Sequence, residues 1–192
     1  MEIRYLKDML NVLADKNFVK SANNLELYYM NRGVEEKNGL RYDVTIVPAV
    51  MLGKEFNKTK GHYHFQNWQE IYTVLEGQAI YLMQKRNVSG EISDVYAVKT
   101  EKGESIIIPP GYGHVTINPS ETNALKMSNW ISPDCKSDYS DFEKFGGACY
   151  YYILENGEAK WIKNKNYKST PELRFEEPLK SLPENLDFLK HG

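Results

Sequence analysis

Short runs rich in Val, Ile and Tyr follow one another along most of this chain, and they limit the possible folds more than any other feature. About ten such runs occur from Leu25 onward, each with the composition of a β-strand. We expect hairpins at glycine-containing joints between the runs, namely Glu76-Gly77, Ser89-Gly90 and Asn156-Gly157. Almost no helical pattern lies between them. The sequence therefore predicts an all-β domain with closed or sandwiched antiparallel sheets rather than a doubly wound sheet.

The segment before these runs has a different pattern. Leu6, Met9, Leu10 and Leu13 recur at helical spacing, which predicts an amphipathic helix from about residue 5 to residue 17. The last stretch of the chain is polar and contains three prolines, so we expect an extended tail. One domain with three parts is predicted: an N-terminal helical segment (1–24), a barrel (25–163) and a C-terminal extension (164–192).

Charge and composition indicate a small-molecule partner. The formal net charge is -2 and the basic residues are scattered, so the chain has no electrostatic footprint for nucleic acid. Neither a signal peptide nor an apolar run of the ~20 residues that span a membrane is present, and a cytoplasmic protein is predicted. Cys135 and Cys149 are too few for a disulfide scaffold, and we interpret both as packing residues.

Three of the four histidines lie between residues 62 and 114, in the strand-rich region. His62 and His64 are two residues apart, and on a strand such residues project to the same face. Glu70 opens the next run after a short loop, and His114 begins another run after a Pro-Gly corner. His191, beside the C-terminus, is interpreted as inert. The four residues His62, His64, Glu70 and His114 are thus expected to converge.

Three imidazoles and one carboxylate suit a divalent transition metal such as iron, manganese, nickel, cobalt or zinc. An octahedral ion with these ligands keeps up to two adjacent positions open, and these positions can chelate a vicinal hydroxy-carbonyl group. A single His-x-His pair is common on exposed strands, so the prediction of one ion per chain depends on the joint pattern.

The spacing around these residues resembles the two cupin motifs. The second block matches that motif throughout: Gly103-x5-Pro109-x-Gly111-x2-His114-x3-Asn118. The first block, from His62 through Glu70 to Gly77, is similar but has five residues between the second His and the Glu, and Phe56 stands where the motif has glycine. This resemblance implies a cupin β-barrel of jelly-roll type.

A narrower resemblance is carried by Gly53-Lys54-Glu55-Phe56, Thr59-Lys60-Gly61-His62-Tyr63-His64 and Glu70-Ile71-Tyr72. These segments resemble the cupin-type glucose-6-phosphate isomerases of archaea. The resemblance implies a homodimer acting on a sugar phosphate with a bound Fe, Mn, Ni or Zn ion. It also implies that the phosphate is contacted by Thr45, Thr59 and Gly61. Tyr139 would reach the substrate, whereas Ser137 and Trp130 replace a histidine and a tyrosine of the family pattern.

Two routes would move hydrogen between C1 and C2 of such a substrate. In the enediol route a base transfers the C2 proton, and Glu70 is the nearest carboxylate. In the hydride route hydrogen moves directly while Glu70 serves only as a ligand. Both routes need Glu70, so we predict Glu70 as the catalytic residue and Tyr139 as the group that orients the substrate.

Two other classes of function fit the same ligand set. An iron dioxygenase also needs three histidines, a glutamate and open positions, but an apolar substrate would favour bulky neighbours instead of Thr59, Lys60 and Gly61. A different sugar isomerase is a close variant. A non-catalytic sugar-binding cupin would keep the barrel, yet it would not need the full ligand set.

Overall fold

The computed structural model describes residues 1–21 and 23–192. It contains two α-helices, α1 (Lys16–Ser21) and α2 (Ser140–Phe145), and two 3-10 helices, Leu6–Met9 and Asp187–Lys190. The strands are β1 (Glu2–Tyr5), β2 (Glu26–Lys37), β3 (Leu40–Val47), β4 (Met51–Leu52), β5 (Glu55–Phe56), β6 (Tyr63–His64), β7 (Glu70–Glu76), β8 (Gln78–Arg86), β9 (Ile92–Glu101), β10 (Ser105–Ile108), β11 (Tyr112–Ile117), β12 (Leu125–Ile131), β13 (Ser137–Asp138), β14 (Tyr150–Glu155), β15 (Glu158–Lys163) and β16 (Arg174–Glu176).

Two larger sheets form the body of the molecule. The first has the strand order β1-β2-β3-β12-β7-β10, and the second has the order β11-β8-β9-β16. A second four-stranded sheet with shorter strands, β15-β14-β5-β4, and a two-stranded sheet, β13-β6, complete the structure. Among the pairs of named strands that the structure describes, only β16 with β9 is parallel. The all-β, jelly-roll-like antiparallel fold predicted from the sequence is confirmed.

The core lies between the sheets and is mainly apolar, and β8 is buried on both of its faces. Tyr81, Leu82 and Met83 of β8 are almost completely buried. Gln84, a buried polar side chain on the same strand, has its hydrogen-bonding groups paired, as burial favours. The Gln84 amide nitrogen donates to the hydroxyls of Tyr63 and Tyr167, and its oxygen accepts the Cys149 N–H. This network fixes β8 against the segment that precedes β14.

The three glycine-containing joints differ in what they connect. Ser89-Gly90 joins the paired strands β8 and β9, and Asn156-Gly157 joins the paired strands β14 and β15, so two of the expected hairpins are present. The hairpin expected at Gly77 is wrong, because β7 and β8 belong to different sheets. Gly77 has φ +79°, and an added Cβ would lie 2.7 Å from the Ala124 carbonyl oxygen. The glycine therefore permits a crossing between sheets at a position where another chain segment packs closely.

The N-terminal helix expected from residue 5 to residue 17 is not formed. The chain instead runs through β1, the 3-10 helix Leu6–Met9 and an irregular segment before α1 begins at Lys16. A buried ion pair holds that irregular segment: Lys58 Nζ donates to the Val12 carbonyl at 2.8 Å, and Glu55 Oε2 accepts the Ala14 N–H at 2.8 Å. These bonds use backbone groups that a helix would pair internally, so the apolar spacing reports burial rather than a helix. Residue 22, in the predicted segment 1–24, lies outside the described residues.

The C-terminal extension follows the surface of both large sheets. β16 pairs with β9, and Leu179 then exchanges two backbone hydrogen bonds of 2.9 Å with Ser105 of β10. The 3-10 helix Asp187–Lys190 ends the described structure beside β7 and β12. None of the helices in the described part of the chain has the length and apolar character needed to span a membrane.

Candidate metal centre and substrate cavity

The three predicted histidine ligands are brought together by backbone pairing. His62 and His114 form an antiparallel bridge, with N–H···O distances of 3.2 Å from His62 and 3.0 Å from His114. His64 follows two residues later on β6, on the same face as His62. The ring centroids of the three pairs are 4.5 to 5.3 Å apart. The histidines of the two motifs therefore face one point, as the sequence predicts.

Glu70 reaches the same point from the first position of β7. Its register opposite Ile108 and Ile131 fixes the carboxylate over the histidines. Oε2 lies 3.3 Å from His64 Nε2 and 3.5 Å from His114 Nε2. The five-residue loop before Glu70, longer than the cupin pattern, is accommodated with Gln66 at φ +61°. One ligand atom from each of the four residues lies within 4.8 Å of the others, so this group could hold a metal ion.

The hydrogen bonding of the site fits such an ion. The Trp68 carbonyl oxygen, 3.0 Å from His64 Nδ1, can only accept, so Nδ1 carries the proton and Nε2 faces the centre. Among the described residues, buried His64 Nε2 and Glu70 Oε2 lie 3.3 Å apart as an ion pair, and neither makes a hydrogen bond of good geometry. Poorly satisfied buried polar atoms are costly, and a cation between these two would engage both.

Burial also controls protonation in the site. It lowers the pKa of His62 and of His114 well below the usual value, with a further contribution from neighbouring imidazoles, so both rings are neutral and have lone pairs available. Burial likewise opposes the charged form of His64, but Cys135 and Glu70 outweigh it and raise the pKa of His64 to about 10. A divalent ion would compete with that proton for Nε2.

A cavity of about 680 Å³, counting its solvent-open mouth, lies above this group. Every residue predicted to contact the substrate lines it, together with three of the four candidate metal ligands: Thr45, Thr59, Gly61, Tyr139, His62, Glu70 and His114. The structure thus gathers in one cavity residues that are up to 94 positions apart in the sequence, from Thr45 to Tyr139.

A model of the glucose-6-phosphate isomerase (GPI) family matches residues 4–171, which is most of the chain. The chain belongs to this family. It is 30% identical over 175 residues to the glucose-6-phosphate isomerase of Pyrococcus abyssi, covering 87% of this chain and 88% of that relative. It is 29% identical over 174 residues to the Pyrococcus furiosus protein of the same name, covering 86% and 87%. The family resemblance seen in the motifs is confirmed.

Solved structures resemble the chain more distantly. An oxalate oxidase in complex with the substrate analogue glycolate has a TM-score of 0.47 and 18% identity, covering 62% of this chain and 58% of that chain. A cupin 2 conserved barrel domain protein from Leptotrichia buccalis has a TM-score of 0.36 and 19% identity, covering 55% and 40%. Both similarities are too distant to bear on function.

Thr59 and Gly61, which the glucose-6-phosphate isomerase resemblance assigns to phosphate, also have structural roles. Thr59 Oγ1 accepts the Thr116 N–H at 3.0 Å, which leaves its own hydroxyl proton free to donate. Gly61 has φ +80°, and an added Cβ would lie 2.5 Å from Val115 Cγ2. Glycine is therefore required here by packing alone, whether or not a phosphate binds.

Tyr139 stands at the cavity wall, immediately before α2. Its ring centroid is 5.4 Å from that of His62, and Lys60 Nζ lies 5.4 Å from the Tyr139 ring. Lys60 also forms an ion pair of 2.5 Å with Glu143. Ser137, which replaces a histidine of the family pattern, lines the same cavity. A hydroxyl that is shorter than imidazole therefore leaves more space at that wall.

Trp130, which replaces a tyrosine of the family pattern, does not line the cavity. On β12 the residues Asn129 and Ile131 face the cavity, and alternation turns Trp130 to the outer face of the sheet. There it packs against Tyr42 with ring centroids 4.8 Å apart. The loss of a tyrosine at this position therefore does not by itself remove a group from the cavity.

Two arginines in the cavity wall were missed from the sequence. Arg41 donates from Nε and Nη2 to the two carboxylate oxygens of Asp43 at 2.8 Å each, and Arg32 lies 3.8 Å from the same carboxylate. Asp43 is almost completely buried. The sequence did contain a sign of Arg41: Arg41, Asp43 and Thr45 alternate along β3 and so lie on the same face of the strand. Thr45 is the residue predicted to contact the phosphate. Cys135, expected only to pack, also lines the cavity.

Proposed function

We propose that the chain is a metal-dependent isomerase that interconverts glucose 6-phosphate and fructose 6-phosphate. The observation that carries this proposal is the single cavity in which a four-residue metal-ligand set meets cationic and hydroxyl-bearing walls. Membership of the glucose-6-phosphate isomerase family supports it. His62, His64, Glu70 and His114 are the proposed ligands of one divalent ion per chain.

The chemistry of the reaction fits these groups. A divalent ion held here would act as a Lewis acid toward the neighbouring C1 and C2 oxygens of the sugar. The isomerisation moves one hydrogen between C1 and C2 and one proton between their oxygens, so it needs no external oxidant. Glu70 either accepts the C2 proton or only holds the ion, and the hydroxyl of Tyr139 orients the sugar from a position beside His62. Turnover in heavy water separates the two routes, since only the enediol route admits solvent deuterium at carbon.

The phosphate is proposed to bind away from the ion, against Thr45, Thr59 and Gly61, with Arg32 and Arg41 contributing charge. Hydroxyl and backbone N–H groups donate charge-assisted hydrogen bonds to phosphate, and guanidinium groups do so in pairs. Asp43 already engages both arginines and holds their side chains in place. A dianionic substrate would therefore meet guanidinium donors that are already held in place, with the charges of the two arginines balanced by Asp43 and Glu2.

Two alternatives are less well supported. An oxygenase acting on an apolar compound would place that compound against Arg32, Arg41 and Lys60, whose remaining N–H donors would lose water without gaining an acceptor. A non-catalytic sugar-binding module would not need the full four-residue ligand set. Oxygen uptake would indicate the oxygenase. Sugar binding without turnover would indicate the binding module.

The experiment is a coupled assay for conversion of fructose 6-phosphate to glucose 6-phosphate by metal-stripped protein, with iron(II), manganese, nickel or zinc restored in turn. Metal-dependent turnover is expected and would identify the working ion. Clear metal uptake with no turnover for any ion would favour another metalloenzyme or a binding module. A homodimer and a cytoplasmic location remain part of the proposal, and light scattering of the purified protein tests the first.

A further inference from the structure

The last seven residues, 186–192, which we call the C-terminal tail, lie beyond the part of the chain that matches the family model, residues 4–171. They do not extend into solvent. The tail ends on the outer face of the six-stranded sheet, directly behind the strand that begins with Glu70. The metal ligand and the tail thus occupy opposite faces of the same sheet.

An apolar cluster fixes the tail there. Leu189 is completely buried and packs with Leu40 and Ile71, each also nearly inaccessible. Ile107, Trp130, Leu186 and Phe188 cover this cluster, which is separate from the main core of the barrel. Ile71 directly follows Glu70, so the backbone that carries the carboxylate is packed against the tail.

The tail also contacts the loop that precedes Glu70, residues 65–69. Gln69 Nε2 donates to the Phe188 carbonyl oxygen at 3.4 Å. Gly192 packs directly on the Trp68 indole, since a Cβ added to it would lie 2.4 Å from Trp68 Cε2. The first half of the loop is exposed, whereas Trp68 and Gln69 are half-buried under these contacts.

Those two loop residues set the geometry of the ligands. The Trp68 carbonyl accepts the His64 Nδ1 proton and thereby directs Nε2 to the centre, and Gln69 is bonded directly to Glu70. We propose that the C-terminal tail is a positioning element of the metal site, holding the loop 65–69 so that His64 and Glu70 keep their ligand geometry. The inference rests on the proposed metal site, and it requires no assumption about the substrate.

The test is the affinity of the metal-free protein for cobalt(II), measured from its visible absorption in competition with a chelator. A chain shortened to end at Asn185 and the variant Leu189→Ala are expected to bind cobalt at least tenfold more weakly, the range seen when groups that orient ligands are lost. Leu189→Met keeps the apolar contact and should stay within threefold of the wild type. Phe175→Ala is the control, since Phe175 is an exposed residue of the same extension.

Unchanged cobalt affinity in Leu189→Ala, with or without a lower melting temperature of the metal-free protein, would overturn the inference, because a purely structural role affects only the melting temperature. If the shortened chain does not fold, the difference in cobalt affinity between Leu189→Ala and Leu189→Met decides whether the tail positions the metal ligands. Cobalt binding is measured without substrate, so a wild type that binds cobalt but does not isomerise fructose 6-phosphate would refute the proposed function and leave this inference standing.

Discussion

Glu70 is the residue on which both the metal site and the reaction depend. Replacing it with Gln removes the only carboxylate of the ligand set and keeps its size. Glu70→Gln is expected to weaken metal binding and to lower kcat at least a hundredfold while the far-ultraviolet circular dichroism stays unchanged. Glu76→Gln is the matched control, since Glu76 ends the same strand on the surface. A Glu70→Gln variant with wild-type turnover would remove Glu70 from the mechanism.

The variant Arg41→Gln tests whether the substrate phosphate binds beside Arg41. Ile131 of β12 pairs with Arg41 of β3 on one side and with Glu70 of β7 on the other. Arg41 therefore lies two strands, or about 10 Å, from Glu70. Arg41→Gln removes a charge-assisted contact of about 1.5–3 kcal/mol, so KM for fructose 6-phosphate should rise roughly tenfold or more with a smaller change in kcat. Arg174→Gln, on the surface, should leave KM unchanged. An unchanged KM in Arg41→Gln would place the phosphate elsewhere.

At this scale the sequence predicted the four candidate ligands, because their spacing on strands determines their direction. It did not reveal Arg32 on β2 or Arg41 and Asp43 on β3, since which face of each strand borders the cavity depends on how the sheet is covered. Nor could it show that Trp130 turns outward. The family pattern shows which strand carries a residue. Whether its side chain reaches the cavity depends on which face of the sheet the residue occupies.

The elements at the N-terminus are held by the buried pair Glu55 and Lys58. Their charged atoms are 2.5 Å apart, and both side chains are almost completely inaccessible. Each also bonds to backbone of the irregular segment before α1. The spacing of apolar residues could not reveal this, because the competing partners of the backbone lie more than 40 positions away in the sequence. This is why the predicted helix is replaced by irregular chain.

Lys58→Met tests that explanation. It leaves the Glu55 carboxylate buried without its partner, and the expected loss in the free energy of unfolding is about 3–5 kcal/mol. Lys54→Met is the control, because the pair of Lys54 with Glu155 is largely exposed and should contribute at most about 1 kcal/mol. Urea unfolding of the metal-free proteins gives both values. Equal effects of the two substitutions would show that the buried pair does not hold this segment.

For the whole molecule, the fold class followed from the strand pattern and turn residues, whereas the assignment of strands to sheets did not. Gly77 illustrates the difference: its positive φ was readable, but a crossing between sheets and a hairpin turn both use it. The path of the C-terminal extension could not be predicted from the sequence either, because its burial depends on a surface that forms only when the barrel folds.

Metal binding should stabilise the whole fold, because the ligands come from β6, β7, β11 and the bridge at His62. An ion at a hundredfold excess over its Kd is expected to add about 2.7 kcal/mol to the free energy of unfolding. For a chain of this size that is roughly 5–10 °C in Tm. Differential scanning calorimetry with and without manganese measures the shift. The same shift in Glu70→Gln would indicate that the ion binds elsewhere.

We propose that one metal ion held by His62, His64, Glu70 and His114 makes this chain a sugar-phosphate isomerase. Titrating metal-stripped protein with the most effective ion while following fructose 6-phosphate conversion tests it most directly. Turnover is expected to rise linearly with added ion and to saturate at one ion per chain. Turnover that persists fully in the stripped protein, or that never appears although one ion is bound, would contradict it.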